Sequence, residues 1–258
     1  MKTIIIIPCY NEERRLPQEE FKAYFGRQNG TEFLFANDGS SDRTLETLQQ
    51  LTAPYPQAHV FDGGKNQGKA HVIRAAIRYA AEHFEYDYIG FLDADLATPL
   101  EEIDKFVRLL EEKGPLLMVA GSRVQRLGSN IRRKPLRHYC GRMFATAVSR
   151  ILCLPVYDTQ CGAKLLRKDA ADIVCTTPFL SRWFFDVEIF ARLIRHFGYQ
   201  ATVDGCFEYP LDTWIEKGDT RLKTKDFLRT PLELLKLRRN YHKDILRVLS
   251  KEKETQNQ

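Results

Sequence analysis

Short apolar runs alternate with amphipathic stretches through the first half of the chain. The runs are rich in β-branched and aromatic residues and predict strands at Thr3–Ile7, Thr31–Asn37, Ala58–Asp62, Tyr88–Leu92 and Leu116–Ala120. Helices are expected between them, at about Pro17–Gly26, Asp42–Leu51, Ala70–His83 and Pro99–Lys113. This β-α order predicts an α/β fold with a mainly parallel sheet, right-handed crossovers and flanking helices.

The pattern changes after Gly121. Helices are expected at Pro135–Leu152, at Arg182–His196 and at about Lys225–Leu249, the last interrupted before Pro231. Strands are expected at Gln200–Val203 and Phe207–Thr213, and the polar tail 251–258 is expected to be disordered. The regular β-α alternation therefore ends with the first half of the chain.

Two carboxylates follow the strand that begins at Tyr88. Residues i and i+2 of an extended backbone point the same way, so Asp93 and Asp95 are expected to face one point past the strand's carboxyl end. Open parallel sheets bind ligands at this edge. Neighbouring acids repel unless a cation lies between them, and Mg²⁺ or Mn²⁺ suits oxygen ligands. A pair of solvated loop acids is the alternative for an Asp-x-Asp taken alone.

Polar residues also follow the first two strands. Asp38 is placed to accept a hydrogen bond from a base, while Pro8, Tyr10 and Glu12 suit the wall and edge of a base and ribose pocket. Helix capping or a solvated turn explains each acid taken singly equally well. The glycine-rich stretch 63–69 before a helix favours anion binding, although it has neither Walker nor dinucleotide-binding spacing.

The composition is that of an ordinary globular protein with a small positive excess. The 258 residues are 43% hydrophobic and 28% charged, with a net charge of +5. This charge allows phosphate-bearing ligands or an anionic membrane surface and is too weak to argue for nucleic acid. Arg123 directly follows a strand and Arg137 lies on the next predicted helix, so both are expected to bind a phosphate.

Cysteine usage and hydropathy bear on location. The six cysteines are scattered, which is typical of reduced thiols, and Cys161 is interpreted as a packing residue and not a nucleophile. No apolar run reaches the roughly 18 residues that a membrane span needs. We therefore expect a cytoplasmic protein.

Seven motifs occur in order along the chain. The first four are Ile4–Glu12, Asn37–Asp42, Asn66–Lys69 and Asp93–Asp95, and together they resemble family 2 glycosyltransferases of the GT-A fold. The other three are Gly121–Arg123, Asp158–Leu165 and Arg182–Glu188, which are similar to the polyprenyl-phosphate sugar transferases and, within them, to the dolichyl-phosphate β-glucosyltransferase group. The resemblance implies a GT-A domain over 1–225, divided into a nucleotide-sugar half (1–121) and an acceptor half (122–225), then a helical segment (226–250) and the tail (251–258).

The resemblance also implies residue roles. On the donor side, the nucleoside pocket would consist of Pro8, Tyr10, Asn11, Glu12 and Asp38. The metal and diphosphate would bind Asp93 and Asp95, with Ala94 and Lys69 lining the site. Arg123 and Arg137 would take the acceptor phosphate, and Arg221 would be a mobile-loop cation. Ala97 departs from the polar residue that mannose synthases carry there, so a third metal ligand must come from elsewhere or from water.

These roles imply an inverting, metal-dependent hexosyltransferase with a nucleotide-sugar donor, UDP-glucose being favoured, and a polyprenyl phosphate acceptor. A lipid monophosphate, whose second pKa is about 6, needs cations to position it and no base. A sugar hydroxyl needs a general base, and Asp158 is the candidate. The alternatives are transfer to a saccharide hydroxyl and a non-catalytic nucleotide-sugar-binding subunit.

The stretch after Pro231 mixes leucines with lysines and arginines. This pattern fits an interfacial amphipathic helix, and a helix packed on its own domain fits it equally well. A membrane partner protein is a third way to reach a lipid acceptor, since the membrane-anchoring helices common in the family are missing. A peripheral position on the cytoplasmic membrane face is therefore one expectation.

Overall fold

A computed structural model gives the fold and describes residues 1–27, 30–132, 135–217 and 224–256. Side chains are described for all of these residues except 135–140, 224–229 and 256. The first half follows the expected alternation: β1 (Thr3–Cys9), α1 (Gln18–Phe25), β2 (Thr31–Asn37), α2 (Thr44–Thr52), β3 (Ala58–Asp62), α3 (Lys69–His83), β4 (Tyr88–Phe91), α4 (Glu101–Lys113) and β5 (Met118–Ser122). The strands and helices predicted for this half are confirmed, with bounds that differ by a few residues.

The second half is less regular. Its elements are β6 (Asn130–Arg132), α5 (Pro135–Leu152), β7 (Lys164–Arg167), α6 (Lys168–Cys175), α7 (Phe185–Phe197), α8 (Tyr199–Gly205), β8 (Cys206–Pro210), β9 (Thr213–Ile215), α9 (Thr224–Leu237), a π-helical turn (Arg238–His242) and α10 (Lys243–Gln256). The helix expected from Arg182 begins at Phe185. Just before it, Ser181 Oγ accepts the N–H groups of Trp183 and Phe184.

One seven-stranded sheet has the order β3-β2-β1-β4-β7-β5-β8. β7 is antiparallel to both of its neighbours, and the other neighbouring pairs are parallel. The carboxyl ends of β1, β2, β4 and β5 therefore lie at one edge of the sheet, where β7 begins. Strands from both expected halves join this sheet, and the expected domain bounds stay a prediction.

Both faces of the sheet are covered by apolar packing. Successive side chains of β1 alternate in direction, so Ile4 and Ile6 pack with α3, while Ile5 and Ile7 pack with α1. These four isoleucines are buried. A strand buried on both faces is rigid, and it fixes the loops at its carboxyl end.

The expected strand at Gln200–Val203 is wrong, because these residues lie in α8. Glu252 of α10 accepts hydrogen bonds from the N–H groups of Tyr199 and Gln200, at 2.7 and 3.1 Å, which satisfies free donors at the start of α8. The same contact anchors α10. The expected disorder of the tail is therefore wrong for residues 251–256, which are helical.

The expected interruption before Pro231 is also wrong, since α9 continues through this proline. A proline inside a helix removes one donor, and tertiary packing offsets that cost here. Leu237, Tyr241 and Ile245 of the C-terminal segment are buried against the rest of the core. Across the described ranges, no helix combines the length and apolar character that crossing a bilayer requires.

Candidate active site

Asp93 and Asp95 follow β4 at the carboxyl edge of the sheet. The Leu92 N–H still donates to the Ile6 carbonyl at 3.0 Å, and the chain then turns away with Leu96 in the left-handed region, at a φ of 51°. Asp95 Oδ1 accepts the N–H of Ala97 at 2.9 Å. Burial, and next the charge of Asp93, raise the pKa of Asp95 above its ordinary value. The site therefore favours an added positive charge.

Lys69, the first residue of α3, forms an ion pair with Asp93 through Nζ and Oδ1. The two side chains are 35% and 42% exposed, so the pair lies at the mouth of the site. Burial works against the charge of Lys69, but the carboxylates of Asp93 and Asp186 outweigh it and raise the pKa of this ammonium. A cation is thus already held at the carboxylate pair.

The loop 158–163 lies beside Asp93. A side-chain carbon at Gly162 would overlap the Asp93 carboxylate, and one at Gly90 would overlap the backbone carbonyl of Lys164. Only glycine allows these two close approaches. The loop and the metal-site candidates are therefore in van der Waals contact.

The buried side chain of Lys164 anchors the loop 158–163 through hydrogen bonds. Its fully buried ammonium donates to the carbonyls of Thr159 and Cys161 at 2.9 and 2.7 Å and to Asp186 Oδ1 at 2.6 Å. Burial raises the pKa of Asp186, opposed by the charges of Lys164 and Lys69. Three acids (Asp93, Asp95 and Asp186) therefore lie near Lys69 and Lys164, and Lys217 adds a further positive charge near Asp95.

Arg123 and Asp158 form a buried ion pair. Arg123 Nε and Nη2 donate to the two carboxylate oxygens at 2.7 and 2.8 Å, and the backbone N–H of Arg123 adds a third bond at 3.1 Å. Burial opposes the charge of Asp158, but Arg123 outweighs it and holds the pKa of Asp158 at about 2. Glu208 accepts the N–H groups of Tyr157 and Asp158, both at 2.7 Å. Asp158 is therefore a weak base that fixes the loop.

The nucleoside-pocket candidates lie on two loops joined by hydrogen bonds. The N–H of Asn11 donates to Ser40 Oγ at 3.0 Å, and the N–H of Glu12 donates to Thr44 Oγ1 at 2.7 Å. Asp38 is buried, and its two oxygens accept the N–H groups of Gln67 and Gly68, at 2.9 and 2.8 Å. Asp38 thus holds the loop before α3.

The other candidates are distributed as follows. Pro8 and Tyr10 are half-buried at the end of β1, and Ala94 is buried between the two acids. The side chain of Arg137 and the whole of Arg221 lie outside the described residues. The structure thus brings the described candidates to one edge of the sheet, and their roles stay predictions.

Sequence reasoning gave no role to Lys164, Asp186 or Arg182. A charge inside an apolar run is a usable signal, since Lys164 stands between alanine and leucine, and Asp186 between phenylalanine and valine. Such a residue needs a buried partner. Arg182 gave no local signal, and its guanidinium lies beside Gly68, where a side-chain carbon would be 2.8 Å from Nη2.

Comparisons with known proteins fit this geometry. The family model described as "Glycosyl transferase family 2" matches residues 4–174. A dolichyl-phosphate beta-glucosyltransferase of Trichomonas vaginalis is 30% identical over 247 residues, 91% of this chain and 70% of that protein. The dolichyl-phosphate beta-glucosyltransferase of Homo sapiens is 27% identical over 236 residues, 83% of this chain and 72% of that protein.

A solved structure shares the fold at low sequence identity. Glucosyl-3-phosphoglycerate synthase from Mycobacterium tuberculosis, in complex with Mn²⁺, UDP-glucose and glycerol 3-phosphate, aligns with a TM-score of 0.68 and 13% identity, over 93% of this chain and 80% of that chain. The expected family and GT-A fold are therefore confirmed, and the chain belongs to glycosyl transferase family 2.

Proposed function

We propose that this glycosyltransferase moves glucose from UDP-glucose to a polyprenyl phosphate, with inversion at the anomeric carbon. The observation that carries the choice of acceptor is the Arg123–Asp158 ion pair. Asp158 was the candidate base for a hydroxyl acceptor, and a carboxylate with a pKa of about 2 abstracts a hydroxyl proton poorly. A phosphate acceptor, ionised at neutral pH, needs no base. Relatives named dolichyl-phosphate beta-glucosyltransferases support the same acceptor class.

A divalent cation fits the residues present. Asp93 and Asp95 offer hard oxygen ligands, and a cation bound between them would oppose the burial and the Asp93 charge that raise the pKa of Asp95. Within the described residues, no third histidine, cysteine or acid joins them as a candidate ligand. Bound Mg²⁺ commonly keeps water and substrate oxygens among its ligands. When bound, Mg²⁺ or Mn²⁺ would stabilise the charge of the departing nucleoside diphosphate. The same fold holds Mn²⁺ and UDP-glucose in the mycobacterial enzyme.

The chain's own residues supply the rest of the donor site. The amino end of α3 and the Lys69 ammonium offer positive charge to the diphosphate. Pro8, Tyr10 and Glu12 would hold the nucleoside, while Asp38 supports them by fixing the loop before α3.

The acceptor phosphate would meet the anomeric carbon from the face opposite the diphosphate. Arg123 is buried, and two of its guanidinium nitrogens are already bonded to Asp158. We therefore assign direct contact with the acceptor phosphate chiefly to Arg137, with Arg221 approaching the donor phosphates. Guanidinium groups suit bidentate binding of phosphate oxygens.

To reach a lipid acceptor, the protein needs a surface whose exposed apolar side chains can contact a membrane. On α9, Leu232 and Leu235 are 67% and 51% exposed one turn apart, and Trp183 and Met143 are also exposed. Lys236 Nζ donates to the Leu180 carbonyl at 2.6 Å, which brings this helix to the segment that carries Trp183. We place the membrane surface on this side of the molecule, and the expected cytoplasmic location stays a prediction.

The test is transfer of labelled glucose from UDP-glucose to a polyprenyl phosphate in the presence of Mn²⁺. We expect organic-extractable product with the anomeric configuration inverted, and a loss of about 100-fold or more in Asp95→Asn. Asp244→Asn, on α10 and away from the sheet edge, is the matched control. Label on a soluble saccharide with none in the organic phase would refute the acceptor. Nucleotide-sugar binding without turnover on any acceptor would indicate a binding subunit.

A further inference from the structure

We propose that Lys69 makes binding of the divalent cation conditional on the nucleoside diphosphate, because the ammonium and the metal compete for Asp93 until the diphosphate gives Lys69 another anionic partner. The charge of Asp186 holds the ammonium near both Asp93 and the diphosphate site. This inference rests on the donor site of the proposed function and adds an order of binding to it.

The first support is the state of the Asp93 carboxylate. Its Oδ1 is paired with Lys69 Nζ, and its Oδ2 is the atom closest to where a side chain at Gly162 would lie. One oxygen is therefore paired with a cation and the other is covered by the loop on one side. A metal ion that uses Asp93 must share or displace the ammonium.

The second support is that Lys69 has a second acid to hold it. Besides Asp93, the buried carboxylate of Asp186 attracts its charge, and Asp186 is itself fixed by Lys164. The ammonium also lies 5.7 Å and 6.0 Å from the ring centres of Phe91 and Phe185. Lys69 is therefore paired directly with Asp93 and lies beside two aromatic rings, with the charge of Asp186 as a second attraction.

The third support is the position of Lys69 on α3. It is the first residue of this 15-residue helix, and Gly68 before it carries no side chain. A diphosphate at the amino end of α3 would meet the same ammonium. Coupling between two ligands is reciprocal, so whatever the diphosphate adds to metal affinity the metal adds to diphosphate affinity.

The test measures each ligand alone. Mn²⁺ binding without nucleotide is followed by the electron paramagnetic resonance signal of free Mn²⁺, and UDP binding without metal by calorimetry. Removal of the competitor in Lys69→Gln should tighten Mn²⁺ binding about fivefold and weaken UDP binding about tenfold. A merely structural role for Lys69 would weaken both.

Lys65→Gln is the matched control for charge. Lys65 is exposed in the same loop, so its removal takes away one positive charge without touching Asp93. We expect less than about a twofold change in either affinity, as is typical of exposed charges. Equal effects of Lys65→Gln and Lys69→Gln on Mn²⁺ binding would overturn the inference in favour of general electrostatics.

A double-mutant cycle isolates the part of Asp186. With Asp186→Asn the ammonium has only Asp93, so Mn²⁺ alone should bind about threefold more weakly, and this effect should vanish in the Lys69→Gln background. The same loss in both backgrounds would remove Asp186 from the inference. If thermal unfolding shows that Asp186→Asn does not fold, the Lys69→Gln and Lys65→Gln comparison decides alone.

These readouts need neither a lipid nor glucosyl transfer. Failure of transfer to polyprenyl phosphate would sink the proposed function and leave the opposed shifts in Mn²⁺ and UDP affinity intact. Unchanged or weaker Mn²⁺ binding by Lys69→Gln would refute the inference, and it would not contradict the proposed transfer by the wild-type protein.

Discussion

Gly162 lies against the carboxylate of Asp93, closer than any side chain would allow. The contact joins the loop 158–163, which enters the antiparallel strand β7, to the acids that follow β4. The two segments are about seventy residues apart in sequence, and their backbones meet where the proposed metal would bind. The loop therefore limits which rotamers Asp93 can adopt.

We expect Gly162→Ala to reduce glucosyl transfer by about 100-fold, because a methyl group would push Asp93 out of position and misplacement of about 1 Å is that costly in a catalytic site. The unfolding free energy should fall by only about 1–3 kcal/mol, as for other overpacked sites. Steady-state kinetics and urea unfolding measure the two effects. Gly26→Ala is the control, since the nearest atom to its added carbon is 3.7 Å away. Wild-type kinetics in Gly162→Ala would show that Asp93 moves freely.

Asp158→Asn should destabilise the protein by about 3–5 kcal/mol at pH 7, because Arg123 is left buried without its counter-charge. The pKa of Asp158 is lowered from 3.8 to about 2, so its ionised form stabilises the fold above about pH 4. That contribution, about 2 kcal/mol, is lost as the pH falls from about 4 to about 2. The difference in unfolding free energy between the wild type and Asp158→Asn, measured by urea unfolding, should therefore become smaller between about pH 4 and about pH 2.

Asp204→Asn provides the comparison for that experiment. Asp204 is an exposed carboxylate that accepts hydrogen bonds from Gln200. Its substitution should change stability by less than about 0.5 kcal/mol, as is usual for surface sites. A pH-independent gap between wild type and Asp158→Asn would contradict the assigned pKa shift.

The first half of the fold follows from local pattern. Continuous apolar runs mark strands buried on both faces, and the two-residue period of extended chain is enough to bring Asp93 and Asp95 to one side. The parallel order then places both acids beside the ends of the first two strands. Each of these inferences needs only neighbours in sequence.

The rest depends on contacts between distant residues. The stretch Lys164–Arg167 is short and only its two central leucines are apolar, so nothing local indicates that it forms a strand antiparallel to β4 and β5 and between them. β-branched residues at Gln200–Val203 favour a strand, yet Glu252 caps a helix there from the other end of the chain. The sequence makes Asp158 a candidate base, because nothing local shows that Arg123, 35 positions earlier, is its ion-pair partner.

Cys161→Ala should keep glucosyl transfer within about threefold of wild type, since the volume change is small and the sulfur that accepts the Ala163 N–H is only a weak hydrogen-bond acceptor. The thiol is buried, and burial raises its pKa to about 11. Because the thiolate is the reactive form, native protein should resist iodoacetamide at this position at neutral pH. Mass spectrometry of alkylated peptides and a transfer assay check both points. Rapid labelling of Cys161 that parallels loss of activity would contradict this assignment.

Tyr241→Phe should lower the unfolding free energy by about 1.5–3 kcal/mol, because the hydroxyl that it removes makes two hydrogen bonds and both partners are charged groups. The Tyr241 hydroxyl donates to Glu188 Oε2 at 3.0 Å and accepts from Arg192 Nε at 3.3 Å. Glu188 is fully buried and also accepts the N–H groups of Leu180 and Ser181, so it ties the π-helical turn to the segment that presents Arg182 to Gly68.

Glu188→Gln tests the same network at its centre. The amide keeps one acceptor and adds a donor that faces backbone N–H groups, so we expect the unfolding free energy to fall by about 2–4 kcal/mol. We also expect a raised KM for UDP-glucose, the proposed donor, as Arg182 shifts. Tyr241→Phe should leave KM within about twofold, because the remaining bonds to Glu188 still hold the segment. Tyr79→Phe, whose ring stacks on His83 4.0 Å away, controls for loss of a hydroxyl elsewhere. If Glu188→Gln matched Tyr241→Phe in both stability and KM, the segment would be held by other contacts, and the C-terminal helices would have no part in positioning Arg182.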